Sequence, residues 1–219
     1  MLADRIIFED GEALVIDKPA GLAVHPGPST PRSLEDHLHG LRLGFHRSPT
    51  PVHRLDRDTS GCLLLARNPK AHKRFAAEFE AGRVEKTYLA ILDGMPDAEE
   101  GVVDLALGKV SSREAGWRMV PDEKGQRAVT HWRLLGQANG RALVLFQPET
   151  GRTHQLRVHA ASGIGVPIIG DPVYGLPSPF QMLLHASSIR LQRGDKPPVE
   201  ATAPLPLSFA NAGFADAGL

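Results

Sequence analysis

The sequence predicts an α+β fold: a single domain built on a mixed, mostly antiparallel β-sheet with flanking helices and loops. Three observations lead there. Short β-prone runs joined by tight-turn residues recur along the 219 residues, and such runs pair as hairpins. One segment, following Asn68-Pro69, carries apolar residues at helical spacing. No GxGxxG and no Walker A loop occurs, so the phosphate-cradling signatures of doubly wound nucleotide folds are missing.

The elements follow in chain order. Arg5 to Phe8 and Ala13 to Asp17 flank Glu9-Asp10-Gly11-Glu12, and an Asp-Gly between β-prone runs signals a hairpin. Lys18-Pro19-Ala20-Gly21 breaks the second strand. Pro31 can open a short helix through Leu38, with Gly40 just beyond. Cys62 to Ala66 reads as a buried strand. Asn68 is a good N-cap and Pro69 suits the first turn; Ala71, Phe75 and Phe79 then recur every fourth residue until Gly82 stops the helix. Lys86 to Leu92 is the next strand. Asp93 to Gly125 is loop-rich with short strands. Ala128 to Leu135 and Arg141 to Gln147 are joined through Ala138-Asn139-Gly140, another hairpin signal. Thr153 can cap a short helix to Ala161, ended by Gly163. Ile164 to Pro179 is irregular, and Leu183 to Leu191 is the last expected strand. From Lys196 the chain is rich in Pro and Ala and reads as a surface tail, with the domain's own tail at about residues 205–219.

Composition narrows the class. Hydrophobic residues are 42% and charged residues 23%, which excludes disorder along the whole chain. The longest apolar runs, Cys62 to Ala66 and Ala142 to Phe146, are strand-sized and far short of the ~20 residues that span a bilayer. The N-terminus lacks the basic start and apolar core of a secretory signal. Cys62 is the one cysteine and forms no internal disulfide, so a reducing cytoplasm is expected. No spare apolar helix is evident, so a monomer is expected. Lys and Arg number 25, as do Asp and Glu, for a formal net charge of zero. A general nucleic-acid binder is usually basic. The charge is uneven, however: Arg54 to Lys86 holds eight basic and five acidic residues, whereas the chain before it holds five and seven.

Three segments concentrate groups capable of chemistry. His53-Arg54-Leu55-Asp56-Arg57-Asp58-Thr59-Ser60-Gly61 sits just before the apolar strand, where side chains are rigidly placed yet exposed to a cleft. A carboxylate among arginines stays ionised, which suits a nucleophile or electrostatic stabiliser; taken alone, the segment reads first as a polar turn whose aspartates cap backbone donors. In Glu149 to His159, a helix from Thr153 places His154, Arg157, Val158 and Ala161 on one face. Arg152 and Thr153 then lie at its start, where free N–H groups attract phosphate. His154 and His159 are five apart, which does not match zinc ligands, and no metal site is expected. In Val84 to Ala90, Tyr88 points opposite to Thr87 and Leu89 in a strand. Gly170 to Gly175 reads as a structural turn. The ten histidines form no Ser-His-Asp set, and no GxSxG occurs.

Together these segments resemble the RluA family of pseudouridine synthases. The resemblance runs from Ile6 to about Pro204. It takes in Leu14 to Leu22 (LVIDKPAGL), His25-Pro26, His53 to Gly61, Val84 to Ala90, Thr150 to His159, Ile169 to Gly175 and Leu183 to Ala186, in the family's order. It implies the pseudouridine synthase fold, in a short form without the N-terminal RNA-binding module of some relatives. It implies that Asp56 is the catalytic aspartate, Tyr88 the active-site tyrosine and Arg157 the basic residue that pairs with the aspartate. Arg54 would enter the RNA stack as the target base leaves, and Leu184 would pack against the uracil. Arg152 and His154 are further candidate RNA contacts. The substrate class is ribosomal or transfer RNA, and neither metal nor organic cofactor is expected, because the isomerisation is neither a redox reaction nor a hydrolysis. Two rival readings stand beside it. One is a catalytically silent RNA-binding relative. The other is a glycoside- or nucleoside-cleaving hydrolase on Asp56, which needs Asp58 or Glu149 as its acid.

Overall fold

The structure, a computed structural model, describes residues 2–27, 30–112 and 116–215. It is α+β. In chain order the strands are β1 (Ile6–Glu9), β2 (Ala13–Lys18), β3 (Thr50–Pro51), β4 (Ser60–Ala66), β5 (Glu85–Leu92), β6 (Glu100–Asp104), β7 (Leu107–Ser112), β8 (Gly116–Pro121), β9 (Val129–Ala138), β10 (Arg141–Pro148), β11 (Leu184–Arg193) and β12 (Lys196–Thr202). The α-helices are α1 (Pro69–Glu80), α2 (Gln155–Val158) and α3 (Leu207–Asn211). Turns of 3-10 helix lie at Leu2–Arg5 and Leu34–Leu41. The chain divides into two compact units, Met1–Lys86 with Ala186–Pro204 and Thr87–His185 with Leu205–Leu219.

In the first unit β1 and β2 form the expected antiparallel hairpin, with Glu9 opposite Leu14. Asp10 caps its turn by accepting from the Glu12 and Ala13 N–H groups, each at 2.8 Å. β2 pairs antiparallel with β4 over its whole length, from Ala13 opposite Ala66 to Lys18 opposite Gly61. The helix α1 forms for the predicted reasons: Asn68 accepts from the Ala71 N–H at 2.8 Å and Pro69 occupies the first turn. Its Ala71, Phe75 and Phe79 pack with Val15, Leu64, Ile189 and Val199 into one core.

Two readings in this unit are corrected. The helix expected from Pro31 to Leu38 is a 3-10 turn at Leu34–Leu41. Ser33 caps it and Asp36 reaches back to the Ser33 N–H, so the capping box sets the start three residues late. The tail expected from Lys196 is strand β12, paired antiparallel with β11 so that Leu191 faces Val199 and Ile189 faces Ala201. Its inward residues Val199 and Ala201 are buried, as is Ala203 just beyond it.

The second unit orders its strands β5-β10-β9-β6, with antiparallel pairing throughout. Asn139 and Gly140 both have positive φ (53° and 72°), as a two-residue turn between β9 and β10 requires. Alternation along β5 and β10 divides the core into two faces. Ala90, Leu92, Val144 and Phe146 pack with Leu156, Ala160 and Leu184; Leu89, Ile91, Leu143 and Leu145 pack with Ile169, Leu183 and Phe209. β7 and β8 form a separate two-stranded arm.

The helix expected from Thr153 to Ala161 is corrected as well. It starts at Gln155 after His154, whose φ is 53°, and widens into a π-helical turn over His159–Ile164 that ends at Gly165. Nor are residues 205–215 a surface tail: α3 places Phe209 in the core at 1% exposure, with Ala212 and Phe214 also buried. Residues 216–219 of that segment lie outside the described residues. Truncating a buried phenylalanine costs about 3–5 kcal/mol. Phe209→Ala should therefore lower the urea unfolding free energy by that amount, whereas Leu207→Ala, at 82% exposure, should leave it within about 0.5 kcal/mol.

Candidate active site

The predicted site residues fall in both units. Arg54 and Asp56 belong to the first; Tyr88, Arg152, His154, Arg157 and Leu184 belong to the second. Each group is built differently.

The Asp56 segment leads into β4 and is pinned on either side. The His53 ring stacks on Phe79 with centroids 4.5 Å apart, and its Nε2 accepts from the Leu64 N–H at 3.0 Å. Burial, followed by the Lys86 charge, pushes the His53 pKa down to about 3, so the ring is neutral. Leu55 is buried, while Arg54 is exposed and Asp56 half-buried. The Asp56 carbonyl accepts from the Thr59 N–H at 3.2 Å and closes the turn. The Arg57 guanidinium forks onto Asp58, with two bonds of 3.0 Å.

The residue that organises this turn is Lys18, which the sequence reading passed over as part of a strand break. Lys18 is fully buried at 0% exposure. Its ammonium donates to the carbonyls of Pro19 and Leu22, both at 2.8 Å, and of Arg57 at 3.1 Å. The Arg57 carbonyl also accepts from the Gly21 N–H at 2.9 Å. One buried cation thus ties the 18–22 turn to the turn that begins at Asp56. Burial pushes its pKa down to about 8, against the opposing pull of Asp58, Asp56 and Asp17.

The strand after the turn needs glycine at its second residue. Gly61 has φ of 104°, and a Cβ there would lie 2.7 Å from the Ala186 carbonyl carbon and 2.8 Å from its nitrogen. The backbones of β4 and β11 approach too closely for any side chain.

In the second unit Tyr88 stands opposite Phe146 on β5 and packs against the core that contains Leu184 and Leu156. The expected alternation holds, since Leu89 belongs to the other face. Arg157 is buried at 5% exposure, and its Nε and Nη2 donate to Asp171 at 2.7 and 2.8 Å. Asp171, at 2% exposure, also accepts from the Val173 and Tyr174 N–H groups at 2.8 and 3.1 Å. Burial alone would raise the Asp171 pKa; Arg157 and the two amides outweigh it and hold the carboxyl below the usual range. Sequence reasoning missed this partnership, because Asp171 reads as a turn residue.

Arg152 and Thr153 lie ahead of the helix, which starts at Gln155. The Arg152 N–H donates to Gln155 Oε1 at 2.9 Å, and its Nε donates to the Arg127 carbonyl at 3.1 Å. Gln155 joins this loop to β9, accepting also from Thr150 Oγ1 and donating to the Val129 carbonyl and Thr130 Oγ1. His159 bonds Thr130 Oγ1 and the Leu105 carbonyl and is structural. His154 lies between two aromatic rings, Trp117 at 5.0 Å and Tyr174 at 5.6 Å, both edge-on. Among the described residues no helix is long and apolar enough to cross a membrane. No group of three or more His, Cys, Asp or Glu among them could hold a metal ion.

Comparison with known proteins bears on this arrangement. A family model described as RNA pseudouridylate synthase matches residues 12–162. The chain is 56% identical over 217 residues to an uncharacterized RNA pseudouridine synthase of Zymomonas mobilis, covering 98% of this chain and 99% of that protein. It is 41% identical over 178 residues to ribosomal large subunit pseudouridine synthase D of the same organism, covering 78% of this chain and 56% of that protein. The solved structure of human RNA pseudouridylate synthase domain containing 4 aligns over 96% of this chain and 92% of its own, with a TM-score of 0.81 and 27% identity.

Proposed function

This chain belongs to the RNA pseudouridylate synthase family, whose members are isomerases, and from that premise we propose that Asp56 acts on the ribose of a target uridine in ribosomal or transfer RNA. The observation that carries the assignment is the construction of its turn. A fully buried lysine spends three hydrogen bonds on holding that turn in one shape, as a positioned catalytic carboxylate needs.

The reaction breaks the N1–C1′ bond, turns the uracil and forms a C5–C1′ bond. C5 loses a proton, N1 gains one, and no atom is added overall. Asp56 either attacks C1′ or removes a sugar proton. Tyr88 takes or relays the C5 proton, Leu184 packs on the uracil, and Arg157 is the basic residue of the scheme. The uridine must leave its stack to be reached. Arg54, planar and cationic, fills the vacated place and meets phosphate. Relatives named for the large ribosomal subunit support ribosomal RNA as the first substrate to test. Pseudouridine mapping of ribosomal and transfer RNA from cells with and without this protein should show at least one position lost. Adding the purified protein to RNA from the deficient cells should restore it. No changed position, together with no C5 tritium released in vitro, would overturn the reading.

Lys18 is a positioning residue in this scheme, and its titration gives a signed prediction. Above about pH 8 the ammonium loses a proton and with it one of three donated bonds, so turnover should fall there. Stability moves the other way. The unfolded lysine keeps its proton to about 10.5 while the folded one releases it near 8, so the unfolded state binds more protons in that window and stability rises with pH. An alkaline loss of activity without unfolding is therefore expected. Lys18→Met should lower kcat about 10- to 100-fold and abolish that limb of the pH profile.

A further inference from the structure

The arm formed by β7 and β8 carries an aromatic surface that the uridine chemistry does not use. Its register sets Lys109 opposite Met119 and Ser111 opposite Trp117. Successive side chains alternate across a ribbon, so Lys109, Ser111, Trp117 and Met119 share one face. On that face the small Ser111 stands opposite Trp117, and Trp117 is 39% exposed. The Lys109 ammonium stands 5.7 Å from the ring centroid. The two strands as described carry Lys109 and Arg118 and no carboxylate.

The ring is held, not loose. His154 meets it edge-on at 5.0 Å and meets Tyr174 edge-on at 5.6 Å. The Tyr174 hydroxyl accepts from the Met119 N–H on the arm at 2.9 Å and bonds His154 Nδ1 at 2.9 Å. Behind it the Arg157 guanidinium lies 5.1 Å from the Tyr174 ring centroid and is itself fixed by Asp171. All of these residues lie in the second unit. A continuous set of contacts thus runs from a buried ion pair to an exposed indole with a cation beside it.

A rigid exposed aromatic ring with a lysine ammonium over it, on strands whose charged residues as described are Lys109 and Arg118, fits a nucleobase on a phosphate backbone. We propose that the β7–β8 arm is a base-stacking site, in which Trp117 holds an unpaired base of the RNA strand that carries the target uridine and Lys109 meets the adjoining phosphate. The proposal rests on the reading of the protein as an RNA pseudouridine synthase, and it adds a contact that selects for unpaired nucleotides near the target.

The test uses intrinsic fluorescence, since the chain has two tryptophans and the other, Trp132, is buried. The full-length protein is titrated with a synthetic RNA stem-loop whose loop contains uridines and adenines. Wild-type emission should be quenched as the RNA binds, and the quench should vanish in Trp117→Phe. Trp117→Ala should raise the Kd about tenfold, the loss of one stacked base, with Trp117→Phe in between because phenylalanine still stacks. Binding without quench, a Trp117→Ala variant that keeps the wild-type Kd, or no binding of the stem-loop at all would overturn the proposal. Release of C5 tritium from ribosomal RNA is scored separately. Quench without turnover keeps the arm and removes the proposed reaction, whereas turnover without quench removes the arm alone.

Discussion

Asp56→Asn should bind RNA with the wild-type Kd and isomerise it at least about 10⁴-fold more slowly. Losing a single acting carboxylate costs that order in enzymes where its geometry otherwise survives. Asparagine keeps the size of the side chain and removes only its charge. The turn itself is held by other groups: the Asp56 carbonyl, which the substitution retains, and the Lys18 bonds to the Pro19, Leu22 and Arg57 carbonyls. Folding should therefore be unaffected, and the loss should appear in kcat with little change in RNA affinity. Single-turnover rates with filter-binding affinities check both. A parallel loss of affinity and rate would assign Asp56 to binding.

The second large effect is on stability. Arg157 and Asp171 form a bidentate pair with both side chains buried. Removing one partner of such a pair leaves an uncompensated charge and costs about 3–5 kcal/mol. Asp171→Ala also strands the Val173 and Tyr174 N–H groups. It should lower the urea midpoint by an amount near the top of that range. The Asp171 contribution is full above the ordinary aspartate value of 3.8 and is lost as pH falls through the depressed folded value, so the gap between wild type and Asp171→Ala should close in acid. Replacing a whole buried pair by apolar residues is often neutral. The double variant Arg157→Met with Asp171→Leu removes the stranded charge but not the stranded N–H groups, so it should regain part of the midpoint. If Arg157 serves the reaction, that well-folded double variant still fails to turn over. Recovery of both stability and activity would confine the pair to a structural role.

The parts of this molecule that were legible in its sequence are those whose cause is local. Asn68-Pro69 with apolar residues every fourth position specifies α1, because cap and stripe lie within one segment. Asn139-Gly140 specifies the β9–β10 turn through two positive φ angles. Strand β12 was hidden because Pro197 and Pro198 precede an alternation carried by Val199 and two alanines, a weak apolar signal that matters only once β11 lies beside it. α3 has five residues, too few to show a period. The start of α2 was misplaced because Gln155, not Thr153, satisfies the loop's donors with its own side chain.

The candidate site divides in the same way. The ionisable run from His53 to Asp58 is plain in the sequence, but its organiser Lys18 lies 38 residues before Asp56 and reads as part of a strand break until three carbonyls converge on it. Asp171 was half legible. The local reading as a turn residue is correct for its bonds to Val173 and Tyr174, while its other partner, Arg157, comes from 14 residues away.

The proposed role of Asp56 is to act on the target ribose in an isomerisation that retains the uracil. One measurement bears on this most directly: a single-turnover reaction on ribosomal RNA carrying both C5 tritium and a carbon label in its uracil, followed by nucleoside analysis. Wild-type protein should form one pseudouridine for each tritium released, with no free uracil, and Asp56→Asn should form none. Free uracil from the wild-type protein, or substantial pseudouridine from the Asp56→Asn variant, would contradict the account.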